Sequence, residues 1–357
     1  MNTREEQIKT LFPGEPAYRL KQIEQALFDT KNSTWSDVST LPKTMLEVLK
    51  KEASWMSVTE FKVYESKLHD TYKAILQGAD KKLFETVLME NKRGDYTICV
   101  SSQIGCAMRC TFCATGTMGL KRSLTADEII DQYRFWNYFL GKKQRTTSNE
   151  RSTINNQLPR ISNVVFMGMG EPLANYDNVK KAIHTWLKYT DLGPTHITVS
   201  SVGILTQLEK ILTDADWPHV RIAISLHSAN QKKREEIVPT TVPDFLKSLT
   251  DWSHRYHKIL GNQRHYITYE YTVLSGVNDT PELAEELAAY IKKTASSKIN
   301  IIPYNPVKGK PFTTSDRTRI EAFKSILKKA GIDVTERRTM GDDIAAACGQ
   351  LVVGQET

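Results

Sequence analysis

The sequence predicts an α/β protein, a partial (β/α)6 barrel preceded by a small N-terminal helical domain. Between about residue 92 and 340, β-rich apolar runs alternate with amphipathic ones, the pattern of parallel βαβ units. About six such units are present, fewer than the eight that close a barrel, so an active site is expected at the C-terminal ends of the strands. The first 75 or so residues instead carry apolar side chains at helical spacing.

In chain order, Leu20, Ile23, Leu27 and Phe28 recur at helical spacing, as do Met45, Val48 and Leu49 after Pro42, a favoured first-turn residue; this predicts a helical domain over 1–75. Runs at 72–77 and 83–89 flank turn residues 78–82, which predicts a β-hairpin linker over 76–91. Strands follow near 96–100, 163–167, 196–201, 220–226, 266–274, 298–304 and 332–337. Between them, Thr125 and Glu128 stand at capping-box spacing ahead of Ile129, Ile130, Tyr133 and Trp136. Further helical patterns lie near 178–189, 204–213, 243–260, 281–294 and 315–330. Residues 141–160, rich in Lys, Arg, Thr, Ser and Asn, read as a polar inserted loop. The core domain therefore covers 92–341 and leaves a C-terminal segment, 342–357.

Composition narrows the function classes. At 40% hydrophobic and 25% charged residues, disordered, collagen-like and coiled-coil chains are excluded. The longest apolar stretches, 220–226 interrupted by Arg221 and 344–353 containing Gln350, fall short of the roughly 18 residues of a membrane span. The first residues, MNTREEQ, carry no secretory signal, so a reducing cytoplasmic location and no membrane partner are expected. A net charge of +7 suits an acidic partner without identifying one.

Five cysteines are too few and too unevenly placed for a disulfide scaffold. Cys106, Cys110 and Cys113 (CAMRCTFC) follow the first barrel strand closely, so one loop could wrap one metal centre. Thiolates favour zinc or iron–sulfur clusters. Structural zinc would want a fourth Cys or His nearby, and no His is close in sequence; three thiolates on a [4Fe–4S] cluster leave one iron open. Taken alone, Cys99 in its apolar strand reads as a small core residue and Glu85 as a solvated acid. Cys348 reads either as packing at a helix end or as a nucleophile on the small-residue segment AAACGQ, 345–350.

The spacing CxxxCxxC, with an aromatic before its last cysteine, resembles the signature of the radical S-adenosylmethionine superfamily. With ETV at 85–87, CVSSQIGC at 99–106, GMGEP at 168–172, SLH at 225–227 and GDDIAAACGQ at 341–350, the chain resembles the RlmN/Cfr family of RNA adenine methyltransferases over roughly residues 15–353. The resemblance implies a radical-SAM barrel with one [4Fe–4S] cluster on Cys106, Cys110 and Cys113. It implies two molecules of S-adenosyl-L-methionine per turnover, held by Gly170, Glu171, Ser200, Ser225, Leu226, His227 and Asn305. It also implies that Cys348 carries the methyl, that Glu85 takes the ring proton, and that Cys99 resolves an RNA–protein crosslink by forming a disulfide with Cys348. Such a detour suits the chemistry, because C2 and C8 of adenine are electron-poor carbons that cannot attack a sulfonium methyl, whereas an ionised thiol can.

The implied partners are 23S ribosomal RNA, transfer RNA as a further substrate, and a flavodoxin-type electron donor, with the protein acting as a monomer. Basic pairs such as Lys121-Arg122 and the run Lys232-Lys233-Arg234 fit phosphate contacts, and the target base must be unstacked to expose its carbon. Pro172 resembles the C2-methylating branch, while CATG at 113–116 and Ala174-Asn175 resemble the C8-methylating, antibiotic-resistance branch; C2 is the expectation. Two other classes stay open: a radical enzyme acting on a non-RNA substrate, and a non-catalytic RNA-binding protein with a structural cluster.

Overall fold

In the computed structural model, which describes residues 3–147, 159–260, 266–295 and 297–353, three helices open the chain: Arg4–Leu11, Ala17–Phe28 and Lys43–Glu52. Thr3 and Glu6 cap the first reciprocally, and Pro42 precedes the third. Their apolar faces, with Ile23, Leu27, Met45 and Leu49, close around Trp35, whose indole N–H donates to the Ala53 carbonyl at 2.6 Å, forming a core separate from the main one.

The helical expectation for 1–75 fails beyond Glu52, because Val58–Glu65 is a strand, β1. Its alternation is broken by a bulge between Glu60 and Lys62 that leaves Phe61 exposed, and its middle residues face solvent. Strands β2 (Thr71–Gly78) and β3 (Leu83–Glu90) do form the predicted hairpin, but it is no linker: β1, β2, β3 and β4 (Tyr96–Cys99) run antiparallel as one wing of the main sheet.

From β4 onward the sheet is parallel, through β7 (Ile161–Phe166), β8 (Ile197–Ser201), β9 (Arg221–Ser225), β10 (Ile267–Val273), β11 (Ser297–Pro303) and β12 (Val334–Glu336). The order is β1-β2-β3-β4-β7-β8-β9-β10-β11-β12, an open mixed sheet. A separate two-stranded ribbon, β5 (Gln103–Ile104) with β6 (Arg122–Ser123), stands just past β4.

Helices Ala126–Thr147, Tyr176–Tyr189, Leu205–Thr213, Phe245–Ile259, Pro281–Ile291 and Arg317–Lys329 make the crossovers, with Gln231–Ile237 inserted after β9. Their inward faces bury Trp136, Trp186 and Trp252 against apolar strand residues. Capping follows sequence rules: Thr280 accepts from the Leu283 amide ahead of Pro281, and Asp316 accepts from that of Arg319. The loop expected over 141–160 is helix up to Thr147, since Lys and Gln there are good helix formers and Gly141 is tolerated; residues 148–158 lie outside the described residues. Among the described residues no helix is long and apolar enough to cross a membrane.

The first of these helices also anchors the N-terminal helices. Asp131 is fully buried and accepts from the guanidinium of Arg4, from Arg134 Nη1 at 2.6 Å, and from the amide and hydroxyl of Ser57. Arg134 additionally donates to the carbonyls of Leu27 and Trp55, both at 2.8 Å. The neighbouring Gln132 faces the other way and brackets Ser101, accepting from its amide and donating to its carbonyl.

Candidate active site

The parallel strands deliver their carboxyl ends to one cavity, lined by residues from successive strand ends and from the cysteine loop. The loop leaves β5 and returns through β6. Gly105 (φ +73°) sits where a Cβ would fall 1.8 Å from the Gly119 carbonyl oxygen, so only glycine lets the two ends of the loop cross. Within it, the Cys113 amide donates to the Cys110 carbonyl at 3.2 Å and the Thr111 amide to that of Ile237 at 2.9 Å.

Cys106, Cys110 and Cys113 all line the cavity, and all are free thiols. Burial pushes the Cys106 thiol up to about 12, with the Glu171 carboxylate and Cys113 adding to it. Burial also drives Cys110 upward, reinforced by Cys113 and Cys106. Three soft thiol donors on one loop and in one cavity fit an iron–sulfur centre that replaces their protons. Among the described residues, no three His, Cys, Asp or Glu side chains converge on a site for a single metal ion.

GMGEP forms the turn after β7. The Gly168 amide donates to the Val100 carbonyl and the Met169 amide to Ser101 Oγ, which zips the ends of β7 and β4 together. Gly170 has φ +98°, and a Cβ there would lie 2.4 Å from that of Gln103. Gly170→Ala is expected to lower stability by about 2–4 kcal/mol, combining overpacking with left-handed strain; a urea unfolding midpoint equal to wild type would refute the reading. Glu171 lines the cavity, but both carboxylate oxygens are engaged, one by the Leu173 amide and one by the Val202 amide at 2.9 Å. Burial raises its pKa to about 7 even so, against the pull of these hydrogen bonds.

Ser200 and Ser225 stand on adjacent strands with their hydroxyls 3.5 Å apart, and both line the cavity. His227, at φ +57°, accepts the Thr272 amide on Nδ1, which fixes the proton on Nε2. Its ring meets Phe112 edge-on at 4.9 Å, and burial lowers its pKa to about 3, so it is neutral at physiological pH. Leu226 is fully buried outside the cavity lining, and its amide donates to the Glu270 carbonyl. Asn305 also lies outside that lining; it donates to the Cys348 carbonyl at 3.2 Å and accepts from the Thr339 hydroxyl.

Cys348 joins the two halves of the site. It lines the cavity with the cysteine triad and also a narrow pocket with Cys99, Asn305 and Arg337. Both thiols are free, so the structure contains no disulfide between them. Burial pushes the Cys99 thiol up to about 12, with Cys348 adding to it.

Glu85 reaches neither cavity. Its carboxylate is 3.4 Å from Lys73 Nζ and accepts the Val352 amide at 2.9 Å, while Lys73 donates to the Ala345 carbonyl. The pair therefore straps both ends of the Cys348 segment. Burial raises the Glu85 pKa, opposed by Lys73. Thr115 Oγ1 and the Ala114 amide secure the same segment through the carbonyls of Leu351 and Gly349.

Lys73, Glu270 and Arg337 were not anticipated. Each carries a signal in hindsight: Lys73 and Glu270 are charges inside apolar strand runs, and Arg337 ends a predicted strand, where site residues collect.

Residues 100–288 match the Radical SAM superfamily. The chain is 38% identical over 351 residues, 97% of its length and 94% of the relative's, to a protein of Aquifex aeolicus (strain VF5) described as a probable dual-specificity RNA methyltransferase RlmN. The crystal structure of a radical SAM methyltransferase from Sphaerobacter thermophilus is similar with a TM-score of 0.85 at 32% identity, covering 97% of this chain and 96% of that one.

Proposed function

Since the chain belongs to the radical SAM superfamily, and within it to the RlmN RNA methyltransferases, we propose that it methylates C2 of an adenine in 23S ribosomal RNA, and in transfer RNA, in the cytoplasm. The observation that supports this most is Cys348, a thiol shared between the cavity of the cysteine triad and the pocket of Cys99. A radical enzyme acting on a small molecule has no need of that second pair of thiols.

Cys106, Cys110 and Cys113 would hold a [4Fe–4S] cluster, which when bound supplies the electron for reductive cleavage of S-adenosyl-L-methionine and an open iron for its amino and carboxylate groups. Gly170, Glu171, Ser200, Ser225 and His227 bind and orient that molecule, His227 as a neutral Nε2–H donor and the serines through their hydroxyls. Leu226 supports them from beneath, and Asn305 acts by holding the Cys348 backbone. As its thiolate, Cys348 takes a methyl group from one S-adenosyl-L-methionine: the new sulfur–methyl bond makes a thioether while the sulfonium–methyl bond breaks and S-adenosylhomocysteine leaves. Bonding that carbon to the base takes one hydrogen atom from the methyl group, carried off as 5′-deoxyadenosine by the radical from a second S-adenosyl-L-methionine, and one electron from the adduct, which a bound cluster would take back. The ring proton goes to Glu85, whose carboxylate has to leave Lys73 and Val352 to reach it. Cys99 then attacks the Cys348 sulfur: a disulfide forms, the sulfur–carbon bond to RNA breaks, and the carbon leaves with the electron pair and gains a proton.

The test is anaerobic reconstitution with iron and sulfide, then incubation with S-adenosyl-L-methionine, reduced flavodoxin or dithionite, and protein-free 23S or transfer RNA. Nucleoside mass analysis is expected to show 2-methyladenosine. Only 8-methyladenosine would reassign the carbon, and 5′-deoxyadenosine without any methylated base would remove RNA as substrate.

A further inference from the structure

The antiparallel wing carries an aromatic ring and a lysine on the face that holds Cys99. Directly opposed residues of antiparallel strands point to one face of a sheet. Tyr64 of β1 opposes Lys73 of β2, Lys73 opposes Val87 of β3, and Val87 opposes Cys99 of β4, so one row of side chains runs from the sheet edge to that thiol. At the usual strand spacing Tyr64 stands roughly 14 Å from Cys99. Lys62, in the row of Ile75 and Glu85, lies on the same face.

The C-terminal segment covers this face over β2 and β3, where its Ala345 carbonyl and Val352 amide bond Lys73 and Glu85, and it leaves Lys62 at the solvent. Tyr64 is half-buried, with Lys62 Nζ 4.5 Å from the centre of its ring. Lys73 Nζ stands 5.2 Å from the same ring, its charge already met by Glu85. The two carboxylates of β1 point the other way. Glu60 opposes the fully buried Leu76, and Glu65 opposes Tyr72, whose hydroxyl donates to it and whose ring packs on Phe139. Among the described residues of β1, the open face therefore offers a ring and a cation and no anion.

Resting on the reading that RNA is the substrate, we propose that Tyr64 and Lys62 dock the single-stranded RNA flanking the target adenine, a neighbouring base stacking on the Tyr64 ring while Lys62 turns from that ring to a phosphate. A base presents a flat π-face that an aromatic side chain on a sheet can stack, whatever the sequence. Phosphate is the anion that a lysine with no carboxylate on its face attracts. An adenine unstacked to expose its carbon also leaves its neighbours without a stacking partner, and the ring supplies one. The row from Tyr64 to Cys99 leads from that contact to the thiols.

The test is filter binding of the cluster-loaded protein, without S-adenosyl-L-methionine, to unmodified transfer RNA and to protein-free 23S RNA over a range of potassium chloride concentrations. Tyr64→Ala is expected to weaken binding about tenfold and Tyr64→Phe to keep the wild-type value, since the ring and not the hydroxyl stacks. Lys62→Ala should lower the slope of log affinity against log salt by about one, and Lys62→Arg should restore it. Tyr18→Ala is the matched control: it removes an exposed ring, with Arg19 5.2 Å from its centre, from the helix Ala17–Phe28 and should bind as wild type does. A folded Tyr64→Ala protein that binds as tightly as wild type, or loses no more than Tyr18→Ala does, overturns the proposal. If Tyr64→Ala fails to fold, an unchanged salt slope in Lys62→Ala overturns it. Wild-type protein that retains neither RNA fails the RNA reading itself, a result distinct from binding that the variants leave intact.

Discussion

Cys348→Ala is expected to reduce RNA methylation by about a thousandfold or more while 5′-deoxyadenosine formation continues. The cysteine triad, Ser200, Ser225 and His227 are untouched by the change, whereas the only thiol that faces both cavities among the described residues is gone. Stability should stay within about 0.5 kcal/mol of wild type, because Cys348 is only half-buried and its anchors are backbone groups, which alanine retains. The two products are measured in one reaction by liquid chromatography with mass detection. Methylated base at wild-type yield would remove Cys348 from the chemistry altogether.

Asp131→Ala should have the largest effect on folding, about 3–5 kcal/mol, because it leaves the guanidiniums of Arg4 and Arg134 without their buried anion. The pH dependence follows from the same geometry. Burial tends to raise the Asp131 pKa, but Arg4, Arg134 and the Ser57 amide outweigh it and hold the carboxyl below its ordinary value of 3.8. A depressed carboxyl stabilises the fold above its unfolded pKa, and that contribution is lost as pH falls through the lower folded value. Wild type should therefore lose urea resistance below about pH 4, and the variant should lose less over the same range. Matching slopes in the two proteins would show that Asp131 is not the group responsible. Limited proteolysis should also release the N-terminal helices of the variant first, since Arg134 ties Leu27 and Trp55 to the barrel.

The parallel strands were legible because each is an apolar run between polar crossovers, and burial on both faces demands that composition. β1 was not, since it is a bulged strand at the sheet edge whose exposed middle obeys no period. The cysteine triad announces itself by spacing. The meeting of Cys348 with Cys99 and Arg337 cannot be read locally, because it depends on the C-terminal segment folding back over β2, β3 and the loop after β11. Asn305 shows the same limit: its place at a strand end was readable, but that it holds the Cys348 carbonyl was not.

The crossing of Gly105 and Gly119 bears on the order of assembly. Closing a loop the length of residues 105–121 costs roughly 2.5 kcal/mol of chain entropy. Here the β5–β6 ribbon closes it, through backbone bonds formed as the polypeptide folds. The three thiols are then delivered on a ring already shut, so the free energy of seating a metal centre goes into affinity and not into ordering the chain.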